Sequence, residues 1–435
     1  MNTPLDPQSN ALPWRSGMAY GLLGFPLAFA ALPLYVVLPN YYARNLGLSL
    51  ATVGGLLMLV RLMDAMVEPW IGKASDALFA KTTRVVLLVG AGVALLQWFG
   101  MTALFFPVVT EKSQLAAWLV MGLLITCVAH SLLVITHQAW GVRLGGDELL
   151  RSRIVAWREG LGLAGVIAAS ALSVLWGAQA MVMFFGGALL LGWGMWWRAP
   201  QPVLRAAVQH TTSASLWQPL TQPAFRRLLA VFMCNGIASA IPAALMLFFA
   251  QDRLQASEQA TALFLVLYFI CGAASMPLWL HAVKRFGLAW SWLMGMLVAI
   301  ACFAWTAGLG TGQVQAFALI CALTGVALGA DLALPGALLA RLIEQQDAQG
   351  KEDGTYLGWW NLATKLNLAI AAGAALPLLQ WLGYTPNSHD EIALQRLAWG
   401  YALVPCMLKL IAAALLYVLL IRKQACEGLV RKETS

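Results

Sequence analysis

The sequence predicts an all-α membrane protein with twelve transmembrane helices in two six-helix halves. Three observations lead there. The 435 residues are 60% hydrophobic and only 11% charged, against about 25% charged in soluble domains; a soluble chain of this composition would expose a large apolar surface and aggregate. Apolar stretches of roughly 20 residues, the length that crosses a bilayer, follow one another with short connections. The longest connection, 198–227, is rich in Pro, Gln, Thr and Arg and comes after the sixth stretch.

The first predicted helix, 17–42, contains Pro26 and Pro33 and ends on Tyr41 and Tyr42. The second, 49–72, carries three ionisable side chains in RLMDAMVEPW. The third spans 83–107. The fourth, 114–140, holds His130 and His137 seven apart on one face, with a polar Thr136-His137-Gln138 island and Trp140 at its end. The fifth, 154–176, opens on VAWREGLGLAG, where Gly160, Gly162, Gly165 and Ala169 permit close helix packing. The sixth, 179–197, ends among Trp193, Trp196 and Trp197. The seventh (228–250) and eighth (257–282) contain Pro242 and Pro277, and the ninth spans 288–309. The tenth, 314–343, places Asp331 four residues before Pro335; the eleventh, 355–382, reads WWNLATKLNLAIAAG near its start, with Trp359, Trp360, Pro377 and Trp381; the twelfth, 397–421, contains Pro405 and Lys409. Aromatics near the helix ends fit an interfacial belt. Prolines inside the helices predict kinks, which suit a protein that rocks between two states. The expected organisation is an N-terminal half (1–197), a central loop (198–227), a C-terminal half (228–421) and a tail (422–435).

Charge sets the orientation. Of 27 Lys and Arg residues, nineteen fall on one set of ends and loops, from Arg15 and Lys73 to Arg431 and Lys432. Four fall on the opposite set (Arg44, Lys112, Arg253, Arg396), and Arg61, Arg158, Lys365 and Lys409 lie inside helices. The rule that basic loops stay in the cytoplasm places both termini there, in a bacterial inner membrane. The net charge of +8 follows from this topology, so nucleic acid is not an expected partner. The seven cysteines show neither CxxC nor metal-ligand spacing; no disulfide, metal or cofactor is expected. The first seventeen residues lack a basic region and cleavage site, so no leader is expected to be removed. No HExxH, G-x-S-x-G or aspartyl-protease pairing is present, and an enzyme is not expected.

The charges at bilayer depth carry the functional reading. Asp64 and Glu68, four apart, share one face of the second helix, with Arg61 near the same face. Ionisable groups at that depth cost several kcal/mol and persist where they face a cavity and bind something. Two carboxylates one turn apart offer oxygens to a small hard cation, or two coupled proton sites; the alternative is a structural ion pair with Arg61. Lys365 lies at mid-depth, one turn after Asn361, as a counter-charge or a substrate contact. Arg158, beside Glu159, either binds an anionic or hydroxylated group or makes a local ion pair. Asp331 needs a polar partner or water. His137 titrates near neutrality and serves either a proton relay or polar packing. Lys409 has no evident partner in the sequence.

At these residues the chain resembles the glycoside–pentoside–hexuronide:cation symporter family, the group containing melibiose permease. YYARNLGLS is similar to that family's first-helix end. RLMDAMVEPWIGKASD is similar to its R-x-x-D-A-x-x-D-P-x-x-G-x-x-S-D signature, with Glu68 replacing the second Asp. DELLRSRIVAWRE and GTYLGWWNLATKLNLAIAAG are similar to the regions at the fifth and eleventh helices. The resemblance implies a major facilitator fold and cation-coupled symport. By position, Asp64 and Glu68 would be the cation acids, Arg158 a sugar contact and Lys365 the lysine near the cation. Three polar family positions read Leu27, Ala28 and Val134 here, which weakens a sugar reading and leaves the cation one oxygen short unless Thr136 or a carbonyl substitutes. The family's paired acids between the tenth and eleventh helices read Arg341 and Glu344.

The expected function is H+- or Na+-coupled transport of a small organic solute by alternating access. The alternative is a carrier of a lysolipid or other amphiphile on the same fold. Asp64, Glu68 and Thr136 form the expected cation site; Arg158, Lys365, Asn361, His137, Gln138 and Asp331 the expected substrate contacts; Asp76 and Arg84 a cytoplasmic latch, inferred from superfamily loops. A monomer is expected.

Overall fold

A computed structural model describes residues 12–175, 177–202, 215–346, 352–381 and 390–422. Most of the predicted central loop (203–214) and tail (423–435), and the side chains of Pro377 and Trp381, lie outside these. The first predicted helix is broken into α1 (Trp14–Gly21), α2 (Gly24–Phe29), a π-helical turn at Pro33–Val37, and α3 (Leu38–Arg44). A proline lacks the N–H that the preceding turn needs and its ring crowds that turn's carbonyl; Pro26 and Pro33 fall at these interruptions. Next come α4 (Leu50–Phe79), α5 (Thr83–Phe105), α6 (Lys112–Arg143), α7 (Glu148–Leu175) and α8 (Gly177–Trp197). After the short α9 (Gln218–Thr221) come α10 (Pro223–Phe248), α11 (Glu258–Ala274), α12 (Met276–Phe286), α13 (Leu288–Phe303), α14 (Val314–Gln346), α15 (Asp353–Trp381) and α16 (Glu391–Leu416). Eight helical stretches among the described residues are long and apolar enough to cross a membrane.

Capping and backbone chemistry explain the ends. Side chains of Ser49, Thr82, Ser257 and Asp390 accept the backbone N–H groups that open α4, α5, α11 and α16. Several helices outrun their apolar stretches, because polar end turns stay helical in water. Thus α4 continues past residue 72 to Phe79, and α7 starts at Glu148, where Asp147 Oδ1 accepts the Leu150 N–H at 2.7 Å. Pro277 follows the one-residue interruption at Ser275 that separates α11 from α12, the kink expected in the eighth helix. Gly287, at φ 78°, turns the chain from α12 into α13, a left-handed conformation that side chains resist.

Contacts divide the chain into two units: Met1–Pro219 with Ala340–Leu362, and Leu220–Leu339 with Ala363–Ser435. The expected halves differ from this in one respect. The end of α14 and the start of α15 belong with the N-terminal helices, because ion pairs and backbone contacts described below fasten them there.

In the first unit, small residues let backbones approach. A Cβ on Gly24 would meet Arg158 O at 2.6 Å, and one on Gly165 would meet Phe25 O at 2.1 Å, so α2 lies directly on α7. Of the expected packing glycines on α7, Gly160 faces open space. The expected aromatic belt is partly core instead. Trp140, Trp196 and Tyr42 are fully buried; the Trp140 indole donates to Pro200 O at 2.9 Å and the Tyr42 hydroxyl to Leu104 O at 2.9 Å. Trp140 and Tyr42 thus keep their polar tips bonded inside protein rather than at a headgroup; the buried Trp196 indole N–H has no partner among the described residues. In the second unit the core is aromatic, with Phe249 stacked on Tyr401 at 4.4 Å and Phe264 edge-on to Phe317 at 4.8 Å.

Candidate functional site

The acids of RLMDAMVEPW lie in the first unit on α4, and both are buried: Asp64 is 3% exposed and Glu68 1%. Ser131, on α6, stands between them. Its Oγ lies 2.7 Å from Glu68 Oε1 and 3.2 Å from Asp64 Oδ1. One hydroxyl carries one proton, so it satisfies one carboxylate oxygen fully and the other only in part. Beside Asp64 is a cavity of about 10 Å³ lined also by Ala31, Leu34, Cys127 and His130, room for about one water. His130 Nδ1 lies 2.9 Å from Gln97 Nε2.

The other expected site residues are placed as follows. Thr136 donates its hydroxyl to Leu132 O at 2.5 Å, one turn back on its own helix; the hydroxyl at the acid pair is that of Ser131. Arg61 is exposed. His137 is fully buried and stacked on Tyr20 at 4.4 Å; its Nε2 meets Tyr20 O at 2.8 Å while the Tyr20 hydroxyl donates to His137 O at 3.1 Å. That reciprocal pair locks the ring as a packing element between α1 and α6. Arg158 is bound by its neighbour Glu159, with Nε and Nη2 at 3.0 and 2.5 Å from one carboxylate oxygen. Gln138 and Asn361 come together, Asn361 Nδ2 donating to Gln138 Oε1 at 3.0 Å. Lys365, half-buried, and Asp331 belong to the second unit.

The acid pair is continuous with a fastening at the end of α4. A Cβ on Gly358 would stand 2.6 Å from Glu68 O, and one on Gly72 would stand 2.1 Å from Gly354 O. The start of α15 therefore lies backbone to backbone on α4, from Glu68 onward. Asp76 then caps α15: its carboxylate accepts the N–H groups of Gly354 (2.7 Å) and Thr355 (2.9 Å) and the Thr355 hydroxyl (2.8 Å). Arg143 bridges Asp76 at 3.3 Å and Asp353 at 2.8 Å, with its guanidinium over the Phe79 ring. Burial first, and the Asp353 carboxylate second, push Asp76 up to about 7. Nearby, Arg151 pairs with Glu344 and Arg341 with Glu148, two crossed ion pairs between the start of α7 and the end of α14. Of the expected latch, Asp76 is thus engaged with Arg143 and α15. Arg84 is exposed on the first turn of α5 and makes no bond among the described residues.

Sequence reasoning missed Ser131, Arg143 and Asp353. It also left Lys409 without a partner; in the second unit its ammonium lies 2.7 Å from Asp331 Oδ2 and 2.9 Å from Ser239 Oγ. No periodicity marks such partners. A lone serine or aspartate in an apolar run becomes informative only once packing shows what faces it.

Comparison with known proteins agrees with this architecture. A family described as MFS/sugar transport protein matches residues 17–423. The chain is 24% identical over 433 residues to the glucuronide carrier protein homolog of Escherichia coli (strain K12), covering 93% of this chain and 92% of that one. Among solved structures, a bacterial homologue of the iron transporter ferroportin in an outward-facing state superposes with a TM-score of 0.71 at 17% identity, covering 94% of this chain and 99% of the other. The Escherichia coli fucose:proton symporter superposes with a TM-score of 0.63 at 13% identity, covering 91% and 98%. At such identities these structures speak for the fold alone. With that family matched across nearly its whole length, the chain belongs to the MFS/sugar transport proteins and is a multi-pass membrane transporter of the major facilitator fold.

Proposed function

We propose that this transporter is a symporter in which Asp64 and Glu68 take up the coupling cation, a proton in preference to sodium, and that its cargo is a small organic solute. The observation that carries the reading is two buried carboxylates one turn apart sharing the single hydroxyl of Ser131. If Asp64 binds a proton, it donates to Ser131 Oγ while Ser131 donates to Glu68, and both contacts of the Ser131 hydroxyl become hydrogen bonds. Neutralising one acid also lowers the cost of carrying the pair through a reorientation. The empty carrier keeps its charge and is held back.

The α4–α15 fastening supports a route from that site to the gate. Glu68 lies on the stretch of α4 that touches the start of α15, and Asp76 is two turns further along the same helix, about 12 Å by helical rise. In the proposed cycle this fastening, with the crossed pairs Arg151–Glu344 and Arg341–Glu148, closes the basic, cytoplasmic ends of the helices. It opens when the loaded carrier reorients. The expected location is a bacterial inner membrane with both termini cytoplasmic.

The relative named a glucuronide carrier homolog makes glucuronides and other glycosides the first solutes to test. Purified protein in liposomes, given each solute under an imposed pH gradient or an imposed Na+ gradient, reads substrate and cation together. Glycoside accumulation driven by the pH gradient is the expected result. Accumulation only with Na+ would reassign the cation, and flux of a lysolipid alone would move the chain to the amphiphile carriers. Absence of gradient-driven accumulation of any solute would remove the symport reading.

A further inference from the structure

The second unit contains a half-open cavity of about 160 Å³ between α10, α11, α13, α14 and α16. All of its lining residues belong to that unit, so it is distinct from the acid pair on α4. Its wall is mainly apolar, with Pro242, Phe264, Ile300 and Phe303 among the lining residues. At one place the wall is charged, by Asp331 and Lys409. A cavity of about 150 Å³ with purely apolar walls accommodates a benzene-sized molecule. This one is large enough for the same ring and adds a polar anchor.

The two charged groups are not equally occupied. The Asp331 carboxylate accepts from Asn235 Nδ2 (3.1 Å), Trp292 Nε1 (3.0 Å) and Lys409 Nζ (2.7 Å), with the Ser239 hydroxyl at 3.5 Å. Its lone pairs are taken. Lys409 is 8% exposed and its ammonium carries three N–H groups. Among the described residues two of these are used, on Asp331 and Ser239. The third is left at the cavity wall. A carboxylate arriving there would bring a second negative charge beside Asp331 with no second cation among the lining residues. A neutral acceptor oxygen meets the N–H without that repulsion.

We propose that this cavity is a second binding site, for a small neutral amphiphile: a ring or short branched hydrocarbon bearing a hydroxyl or carbonyl whose oxygen accepts from Lys409. Exposed Leu265 on the cavity rim gives it an apolar entrance, suited to a molecule that partitions into lipid.

Benzyl alcohol, toluene and benzoate are the probes. Binding of each to the full-length protein in lipid nanodiscs is read by saturation-transfer NMR, with protein-free nanodiscs subtracted. Benzyl alcohol binds saturably, at least about tenfold tighter than toluene, the worth of one hydrogen bond to a charged donor; benzoate binds weakest. Ala299→Phe, which fills the cavity from α13, abolishes saturable binding. The double variant Asp331→Asn/Lys409→Met removes both charges together, leaves no unpaired ion, and erases the preference for benzyl alcohol over toluene. Saturable binding that survives Ala299→Phe, or tighter binding of benzoate than of benzyl alcohol, would overturn the proposal. So would an unchanged preference in the double variant, or no saturable binding to the wild-type protein.

Discussion

Each unit buries ionisable side chains, and each treats them differently. In the second unit one carboxylate, Asp331, is met by three donors within 3.1 Å, one of them the Lys409 ammonium. In the first unit two carboxylates, Asp64 and Glu68, share one serine hydroxyl. A carboxylate with donors on every side has no use for a further positive partner and holds its helices together. Two carboxylates held within reach of one hydroxyl repel each other as anions, and a proton on either relieves that repulsion. On the proposed reading it is this difference, and not depth in the membrane, that separates the working pair from the structural one, since both sets are buried.

The comparison predicts the largest effect on accumulation at the first pair. A pH gradient of two units can drive about 100-fold accumulation at one proton per solute, at about 1.4 kcal/mol per tenfold. Asp64→Asn abolishes that accumulation while solute exchange across the liposome membrane persists; uptake against a gradient at the wild-type level would break the contrast between the units.

The converse holds for the second pair. Asp331→Ala strands a buried ammonium and costs about 3–5 kcal/mol, whereas the paired replacement Asp331→Asn/Lys409→Met is close to neutral. Thermal denaturation of the detergent-solubilised proteins ranks the three. Equal loss in the single and double variants would contradict the ion-pair account.

At the fastening, Gly72→Val places carbon within 2.1 Å of the Gly354 carbonyl. Backbone must move, at about 1–3 kcal/mol, and the start of α15 is displaced together with the end of α14 that precedes it. Spin labels at positions 80 and 345, both exposed, read this as a longer distance; an unchanged distance would refute the close approach.

Asp76 gives that same distance a pH dependence. Its carboxyl is pushed up to about 7 where it meets Asp353, Arg143 and the start of α15, and returns to about 3.9 once released into water. The fastened form therefore holds a proton that the released form gives up. This contribution is fully present below about pH 4 and lost as pH rises through about 7. The longer distance gains population between pH 5 and pH 8, and Asp76→Asn flattens the response; a shift toward the shorter distance on raising pH would reverse the assignment. The smallest effect belongs to Arg84→Ala. Exposed and without a described bond, its loss stays within about 0.5 kcal/mol and leaves transport rates unaltered.

The helices were readable because a bilayer imposes a length and a polarity on every span. Asp64 and Glu68 were readable because charge in such a span is costly and their four-residue spacing fixes a common face. The resemblance carried by RLMDAMVEPWIGKASD supplied the transporter class. What the sequence did not disclose depended on which surfaces meet. Thr136 looked as suitable as any hydroxyl near the acids, yet its proton goes to Leu132 O, and Ser131 is the one that faces α4. Arg84 had the better loop position for a latch, and Arg143, at the far end of α6, makes the ion pairs. Trp140 and Trp196 sit near helix ends as belt residues do, and packing takes them into the core. Lys409 and Asp331 are 78 residues apart, and neither carries a local pattern that announces the other.

The most direct measurement is solute-induced proton movement. Unbuffered liposomes containing the wild-type protein, with no imposed gradient, are given a transported solute while external pH is recorded. The account predicts that the medium turns alkaline in proportion to solute uptake, and that Asp64→Asn abolishes the signal. Solute entry with no accompanying proton or sodium movement would contradict it.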